Sequence, residues 1–201
     1  MTTHFDHRSP HVVVFTGNAH RPSRSRGLGE YVAERLAAEM PVRTSIFDVV
    51  DAGPGLGAAF TREQLTPEAR RVIEAVESAD GLIAITPVYK GSFTGLFKHL
   101  FDFVGPLALI DKPVLIGATG GGHRHALMVE HQLRPLFGFF SALTVPTSVY
   151  AAENEMTNGV PTDPALVARV AQAARQMAML LHGKGAIEAA STAVIRKAQF
   201  F

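Results

Sequence analysis

Three short runs of mainly apolar residues constrain the fold of this chain more than any other feature. They occupy residues 12–16, 81–86 and 114–119, and each ends in threonine. Runs of this kind are typical of strands that are buried on both faces of a sheet. Segments with helical periodicity separate them, and strands that alternate with helices form parallel sheets with right-handed crossovers. The sequence therefore predicts an α/β protein with helices on both faces of a parallel sheet.

The segments between the strands carry recognisable helix signals. Apolar residues recur at helical spacing over residues 28–40, 93–104, 125–140 and 163–182. Thr66 followed by Pro67 predicts a further helix start, because threonine caps helices and proline suits the first helical position. Residues 51–57 contain three glycines and Pro54, and this composition predicts a loop.

Two weaker strand candidates decide the order of the sheet. Polar residues interrupt the segment 42–47, and the segment 143–150 contains Pro146, which cannot donate to a central ladder. Both are therefore expected at edges of the sheet, and the order 2-1-3-4-5 places them there. The dinucleotide-binding order 3-2-1-4-5 would instead bury strand two and expose strand three. The sequence thus favours a flavodoxin-like, doubly wound, five-stranded parallel sheet.

Composition limits the function classes that this chain could serve. With 201 residues, we predict one domain over 11–182, a flexible N-terminal tail over 1–10 and a C-terminal tail over 183–201. The net charge of +1 gives no broad electrostatic surface for nucleic acid or anionic membranes. The absence of cysteine excludes disulfides, thiolate catalysis and cysteine-ligated metals, and it fits a reducing, cytoplasmic compartment. No apolar run reaches the roughly 18 residues that span a bilayer.

The loop over residues 16–25 joins the first strand to the first helix and is rich in Gly, Ser and Arg. Backbone N–H groups and the positive end of the helix dipole favour an anion at such a junction. Three guanidinium groups and two hydroxyls add donors that suit a phosphate, and they belong to Arg21, Arg24, Arg26, Ser23 and Ser25. The loop is therefore predicted to bind a phosphate.

Two further loops open at the same end of the predicted sheet, where ligands of such sheets bind. In the loop 86–92, Pro87 fixes the chain direction and Tyr89 offers a flat aromatic face. In the loop 119–123, three successive glycines leave room for a planar ring against the backbone, although alone they could be simple turn formers. Together with the phosphate loop, they favour flavin mononucleotide (FMN). The G-x-G-x-x-G fingerprint of dinucleotide-binding proteins and the P-loop are both absent.

Several motifs resemble those of the NAD(P)H-dependent FMN reductases, and most closely the reductase components of two-component alkanesulfonate and methanesulfonate monooxygenase systems. The motifs are Gly17-x-x-x-x-Pro-Ser-Arg-Ser25, Ala79-Asp-Gly-Leu-Ile83, Thr86-Pro-Val-Tyr-Lys90, Lys98, Ala118-Thr-Gly-Gly121 and Leu133-Arg-Pro135. The resemblance implies FMN in the three-loop crevice, a homo-oligomer, and hydride transfer from NADPH or NADH. The expected cofactor-binding residues are Gly17, Asn18, Arg21, Ser23, Arg24, Ser25, Pro87, Val88, Tyr89, Lys90, Thr119, Gly120, Gly121 and Gly122.

The chain departs from the family pattern in the first loop. The family usually has Ser, Pro and Arg after the first glycine, whereas this chain has Asn18, Ala19 and His20. Arg21 is expected to replace the missing guanidinium contact. The resemblance also implies a transient flavin-dependent monooxygenase as the partner that receives reduced FMN.

The segment 125–140 carries two further signals. Pro135 leaves the carbonyl of His131 without its helical donor, so we predict a bulge or kink there, a feature that tends to mark functional sites. The segment also has more apolar residues than one packing face needs, which predicts a homodimer or homotetramer interface with His131 near the partner's flavin. A kinked core helix is the alternative interpretation.

No side chain is predicted to perform the chemistry, because the cofactors carry the hydride. His131 and His123 are candidate modulators, and His123 is expected to contact the flavin or nicotinamide. His123 and His125 could also form a metal-binding pair, but Glu130 is the only carboxylate close in sequence, so no metal is predicted. Lys90 is expected either to offset the charge of reduced flavin or to be solvated. The alternatives are a quinone, azo-dye or metal-ion reductase, or a flavodoxin-like electron carrier. Such carriers are usually strongly acidic, and the net charge of +1 of this chain argues against that class.

Overall fold

The structure is a computed structural model that describes residues 9–198, and the side chains of residues 9–185. One parallel sheet has the order β2-β1-β3-β4, and two short strands both pair with the outer side of β4. The strands are β1 (His11–Thr16), β2 (Arg43–Asp48), β3 (Gly81–Pro87), β4 (Pro113–Gly120), β5 (Leu143–Thr144) and β6 (Val149–Ala152). The predicted order 2-1-3-4-5 and the flavodoxin-like fold are confirmed.

The fifth strand was predicted as one segment over 143–150, and the structure shows two. Leu143 N–H donates to Lys112 O at 2.9 Å and Val145 N–H donates to Val114 O at 2.8 Å. The ladder then breaks at Pro146, which has no N–H to donate, and pairing resumes at β6. The proline that identified this strand as an edge thus also divides it.

Helices cover both faces of the sheet, and the threonine that was predicted to cap one of them does so. The longer helices are α1 (Arg24–Glu39), α4 (Pro67–Ser78), α5 (Gly95–Asp102) and α7 (Pro164–Ala198). Thr66 Oγ1 accepts from Ala69 N–H at 3.4 Å, as predicted from the Thr-Pro pair. Helices α1 and α7 pack on one face of the sheet, and α4 and α5 pack on the other. Helix α1 begins at Arg24 rather than at the predicted residue 28, because Ser23 caps it.

Residues 51–57 are not the predicted loop. They belong mostly to two short helices, α2 (Val49–Ala52) and α3 (Pro54–Ala58). Asp48 caps α2 by accepting from Asp51 N–H at 3.2 Å. Gly53, at φ +70°, separates the two helices, and Pro54 occupies the first position of α3. Glycine and proline therefore mark helix ends here, whereas their number suggested an irregular segment.

The segment 125–140 is not the predicted continuous helix. A 3-10 turn (His123–His125) leads to a π-helix (Val129–Leu133), which continues directly into α6 (Arg134–Phe139). The predicted distortion at His131 is confirmed, since this residue is the centre of the π-helix. Pro135 lies in the first turn of α6, directly after the π-helix, and its missing N–H leaves the carbonyl of His131 without an α-helical donor.

Two features near the C-terminal part of the chain were not predicted. A short antiparallel hairpin, β7 (Met156–Thr157) and β8 (Val160–Pro161), precedes α7. Helix α7 then continues past residue 182, at which the domain was predicted to end. Residues 1–8 of the predicted N-terminal tail and residues 199–201 of the C-terminal tail lie outside the described part of the chain. Within that part, no helix is long and apolar enough to cross a membrane.

Candidate functional site

A cavity of about 320 Å³ lies at the carboxyl ends of β1, β3 and β4. Strand register brings the three loops together, because Thr16 lies opposite Ile85 in β3 and Pro87 lies opposite Thr119 in β4. The residues that line the cavity are Asn18, His20, Pro22, Ser23, Arg24, Ser25, Pro87, Val88, Tyr89, Thr119, Gly120 and Gly121.

The structure thus places most of the expected cofactor-binding residues around one cavity. Four of them do not line it: Gly17, Arg21, Lys90 and Gly122. Two lining residues, His20 and Pro22, were missing from the expected set. Both lie inside the predicted phosphate loop, and this position in the sequence was the signal that could have identified them as lining residues.

Gly17 supports the loop by packing. Its N–H donates to Ile85 O at 2.8 Å. A Cβ at this position would lie 2.9 Å from Thr86 Oγ1 and 3.0 Å from Phe97, closer than real Cβ atoms lie. Glycine is therefore needed because β3 and α5 approach the backbone closely.

The side chain of Asn18 is buried and holds the loop. Its Oδ1 accepts from Thr16 Oγ1 at 2.7 Å. Its Nδ2 donates to His20 O at 3.1 Å and to Asp48 Oδ2 at 3.0 Å. The amide of Asn18 therefore links β1, the first loop and Asp48 at the wall of the cavity.

Asp48 is the central acceptor of this loop, and no function was predicted for it from the sequence. Its carboxylate accepts from Arg21 Nε at 2.7 Å, from Arg21 NH2 at 2.8 Å and from Arg26 NH1 at 3.0 Å. Arg21 also donates to Asp51 Oδ2 at 2.6 Å. Burial alone would raise the pKa of Asp48, but hydrogen bonds from Arg21, Asn18 and Arg26 hold that pKa below its ordinary value. Arg21 therefore lies away from the cavity, where it forms ion pairs with Asp48 and Asp51.

The first turn of α1 faces the cavity with donors. Ser23 Oγ accepts from Arg26 N–H at 3.4 Å, which leaves the hydroxyl hydrogen of Ser23 able to donate. Arg24 and Ser25 begin the helix, so their N–H groups have no acceptor within it. Ser25 Oγ lies 2.7 Å from Thr119 Oγ1, a buried contact that joins the first loop to the third. Arg24 forms an ion pair with Glu153.

The aromatic loop turns tightly. Tyr89 N–H donates to Ser92 O at 2.9 Å and Ser92 N–H donates to Tyr89 O at 3.2 Å, with Lys90 and Gly91 at φ +53° and +86° between them. Gln132 of the π-helix accepts from Ser92 Oγ and donates to Gly91 O at 3.3 Å. Lys90 therefore occupies the exposed tip of the turn, outside the cavity, while Tyr89 borders the cavity.

The three glycines after β4 have different environments. A Cβ at Gly120 would lie 2.2 Å from the Tyr150 hydroxyl, so packing requires glycine there. A Cβ at Gly121 or Gly122 would meet no atom within 4 Å. Tyr150 Oη donates to Gly122 O at 2.6 Å, and burial together with Glu155 raises the pKa of Tyr150. Gly121 thus presents bare backbone to the cavity.

The candidate histidines lie outside the cavity lining. His123 is 64% exposed, and its Nε2 lies 3.6 Å from Glu155 Oε1. His131 is exposed on the π-helix. Among the described residues, no group of three or more His, Cys, Asp or Glu side chains is arranged to hold a metal ion.

Known proteins share this sequence pattern. The family model described as NADPH-dependent FMN reductase matches residues 10–157. The chain is 43% identical to an FMN reductase (NADPH) of Pseudomonas aeruginosa over 173 residues, which cover 86% of this chain and 93% of that protein. It is 44% identical to the NADH-dependent FMN reductase SfnF of Pseudomonas fluorescens over 169 residues, 84% of this chain and 90% of that one.

Solved structures share the fold. An oxidoreductase from Corynebacterium diphtheriae superposes with a TM-score of 0.78 and 31% identity, covering 87% of this chain and 98% of that one. The apo form of an NADH:FMN oxidoreductase named EMOB superposes with a TM-score of 0.75 and 26% identity, covering 85% and 89%.

Proposed function

The chain belongs to the NADPH-dependent FMN reductase family, and from that premise we propose that it transfers hydride from NADPH or NADH to FMN bound in the three-loop cavity. The observation that carries this proposal is that three features line one cavity: the first turn of α1, the turn that carries Tyr89, and the backbone of Gly121. A volume of about 320 Å³ lies within the range of small-molecule sites.

The phosphate of FMN fits the first turn of α1. The donors there are the Ser23 hydroxyl, the N–H groups of Arg24 and Ser25, and the Arg24 guanidinium. The helix dipole favours negative charge at this end. Arg21 was expected to bind the phosphate directly, but we assign it to the Asp48 network, where it fixes the shape of the loop.

The flavin ring fits the opposite part of the cavity. Pro87, Val88 and Tyr89 line one side, and Tyr89 is half exposed, at 50%. Thr119, Gly120 and Gly121 line another side, and Gly121 has no side chain to keep a planar ring from its backbone. When bound, FMN supplies the acceptor for the nicotinamide hydride.

The chain itself contributes binding and orientation. The residues that line the cavity include no carboxylate, so proton transfer from an acidic side chain of the lining has no part in the mechanism. Holding two flat ligands in one orientation with water excluded accelerates a reaction through proximity. The buried Ser25–Thr119 contact and the Asn18–Asp48 bond keep the loops in place for this task.

Two finer features belong to the same proposal. The protein assembles into a homo-oligomer through the segment 125–140, on which Leu127 and Phe139 are 65% and 72% exposed. Reduced FMN then passes to a flavin-dependent monooxygenase, as the motif resemblance implies.

A binding titration tests the site. Gly121→Leu would fill the cavity from its open side, so we expect FMN affinity to fall by about tenfold or more. Gly183→Leu is the matched control, since Gly183 in α7 also has open space around its Cβ and lies outside the cavity lining. FMN fluorescence quenching gives both dissociation constants. Equal FMN affinity in wild type and Gly121→Leu would show that the loop 119–123 is not part of the FMN site.

A further inference from the structure

The Arg24–Glu153 ion pair lies at the phosphate end of the proposed FMN site. Arg24 lines the cavity, and its NH1 contacts Glu153 Oε1 in the turn after β6. We propose that Glu153 competes with the phosphate of FMN for Arg24 and thereby lowers the FMN affinity of the protein. The inference rests on the proposed function and names a residue that sets flavin affinity.

The turn that carries Glu153 is held against α1. Glu155 Oε2 accepts from Ala152 N–H at 2.7 Å, and Glu155 O accepts from Thr162 N–H at 2.9 Å. The following hairpin packs on the helix so closely that a Cβ at Gly27 would lie 2.2 Å from Gly159 O. The backbone of the turn that carries Glu153 is therefore held beside the first turns of α1.

This ion pair differs from the other arginine contacts of the loop. Arg21 and Arg26 both reach the Asp48 carboxylate, which is 0% exposed. The side chains of Arg24 and Glu153 are 42% and 63% exposed. Exposed ion pairs of this kind contribute little to stability, so this one opens easily. Arg24 is therefore the arginine of the loop that a ligand can recruit.

Charge decides the outcome of the competition. A phosphate monoester carries about −1.5 to −2 charges near pH 7, more than one carboxylate, so it displaces Glu153 from Arg24. The displaced carboxylate remains at the rim of the cavity and repels the phosphate. FMN consequently binds less tightly than the helix start and Arg24 would allow. Weaker retention suits a flavin that leaves after reduction.

Titrations with FMN and with riboflavin, which lacks the phosphate, test this inference. At low salt, Glu153→Gln should tighten FMN binding about threefold and Glu153→Lys about tenfold, with riboflavin changed by less than about twofold. The gain should shrink at about 0.5 M salt, because the charges are exposed. In an Arg24→Ala background, Glu153→Gln should give a smaller gain in FMN affinity than in the wild type, because only the repulsion between Glu153 and the phosphate is then removed. Glu34→Gln removes an exposed carboxylate of α1 and controls for net charge.

The results separate the inference from the function on which it rests. Saturable FMN binding that is equal in wild type and Glu153→Gln would overturn the competition and leave the FMN site standing. An equal gain for riboflavin would also overturn it, because the effect would then concern cavity shape. Absence of FMN binding in the wild-type protein would reject the proposed function itself.

Discussion

At the scale of single residues, Asp48 shows how one buried carboxylate organises a binding loop. It lies opposite Thr16 in the sheet and contacts Asn18, Arg21 and Arg26, which are spread along the loop. Together with Asp51, it neutralises the charges of Arg21 and Arg26 before any ligand arrives. The proposed phosphate site consequently depends on the helix start and on Arg24.

Replacing Asp48 should destabilise the protein in a pH-dependent way. Asp48→Asn leaves Arg21 and Arg26 without their buried partner, and we expect a loss of about 3 kcal/mol at pH 7, at the low end for buried pairs because Arg21 is partly exposed. The pKa of Asp48 is lowered from 3.8, so its stabilising effect is complete above that pH and is lost as the pH falls through the lower folded value. Urea unfolding at pH 7 and at acid pH measures both.

The variant should also show a shallower decline in unfolding free energy below about pH 4 than the wild type does. Glu34→Gln serves as the control, since that carboxylate is exposed. If Asp48→Asn unfolds at the same urea concentration as the wild type at pH 7, the assignment of Asp48 as the central acceptor fails.

At the scale of elements, the π-helix connects two parts of the molecule. Glu130 contacts Arg134 and the Ser148 hydroxyl, and these contacts outweigh burial and lower its pKa to about 2. Arg134 also donates to Val145 O at 3.1 Å, in the break between β5 and β6. From the same π-helix, Gln132 reaches the turn that presents Tyr89. Through Glu130 and Gln132, the π-helix thus contacts both the residues before β6 and the turn that carries Tyr89.

Removing the Gln132 side chain should loosen the aromatic turn. Gln132→Ala deletes the hydrogen bonds to Gly91 O and Ser92 Oγ. Because these bonds act on FMN only through the position of the loop, part of their energy reaches the affinity, and we expect about three- to tenfold weaker FMN binding. Gln172→Ala, an exposed position on α7, is the matched control. Unchanged FMN affinity in Gln132→Ala, measured by fluorescence quenching, would show that the π-helix does not position this loop.

The elements that local chemistry determines were predictable from the sequence. The Thr66 cap, the edge character imposed by Pro146 and the distortion caused by Pro135 each follow from one or two residues. Helices α2 and α3 were not predictable, because Asp48 caps the first of them from the end of a strand. Glycine and proline content alone does not distinguish a helix end from a loop.

The sequence predicted which three loops form the candidate site, but it did not predict which side chains contact one another there. Sheet order brought the loops together, whereas the partner of each arginine depends on distances that the sequence does not state. Arg21 and Arg24 look alike in the sequence, yet one contacts a buried carboxylate and the other an exposed one. Gly120 and Gly121 are likewise adjacent but differ, because Tyr150 packs against only the first.

At the scale of the whole molecule, exposed apolar side chains on the segment 125–140 favour assembly. Phe139 is 72% exposed, whereas Phe137 is 0% exposed and packs edge-on against Phe101 at 5.1 Å. The two phenylalanines therefore have different roles: Phe137 belongs to the core, and Phe139 is available to a second copy. The helix supplies both a core face and an outward face.

Charging the outward face should reduce the oligomeric state. Phe139→Glu places a charge in the proposed interface, and light scattering should report a lower mass than for the wild type. Phe60→Glu is the control, because Phe60 is 88% exposed and lies outside this segment. An unchanged mass for Phe139→Glu would show that this face does not form the interface. Phe137→Glu is not a suitable variant, because Phe137 is buried and the charge would disrupt the core.

The most direct test of the central claim is steady-state oxidation of NADPH and of NADH by the 201-residue protein, with and without added FMN. The account predicts oxidation that rises with FMN concentration and saturates, with no quinone or azo dye required. It also predicts that the rate falls in Gly121→Leu and persists in Gly183→Leu. No oxidation of either nucleotide at any FMN concentration would contradict the account and would favour a non-enzymatic flavin carrier.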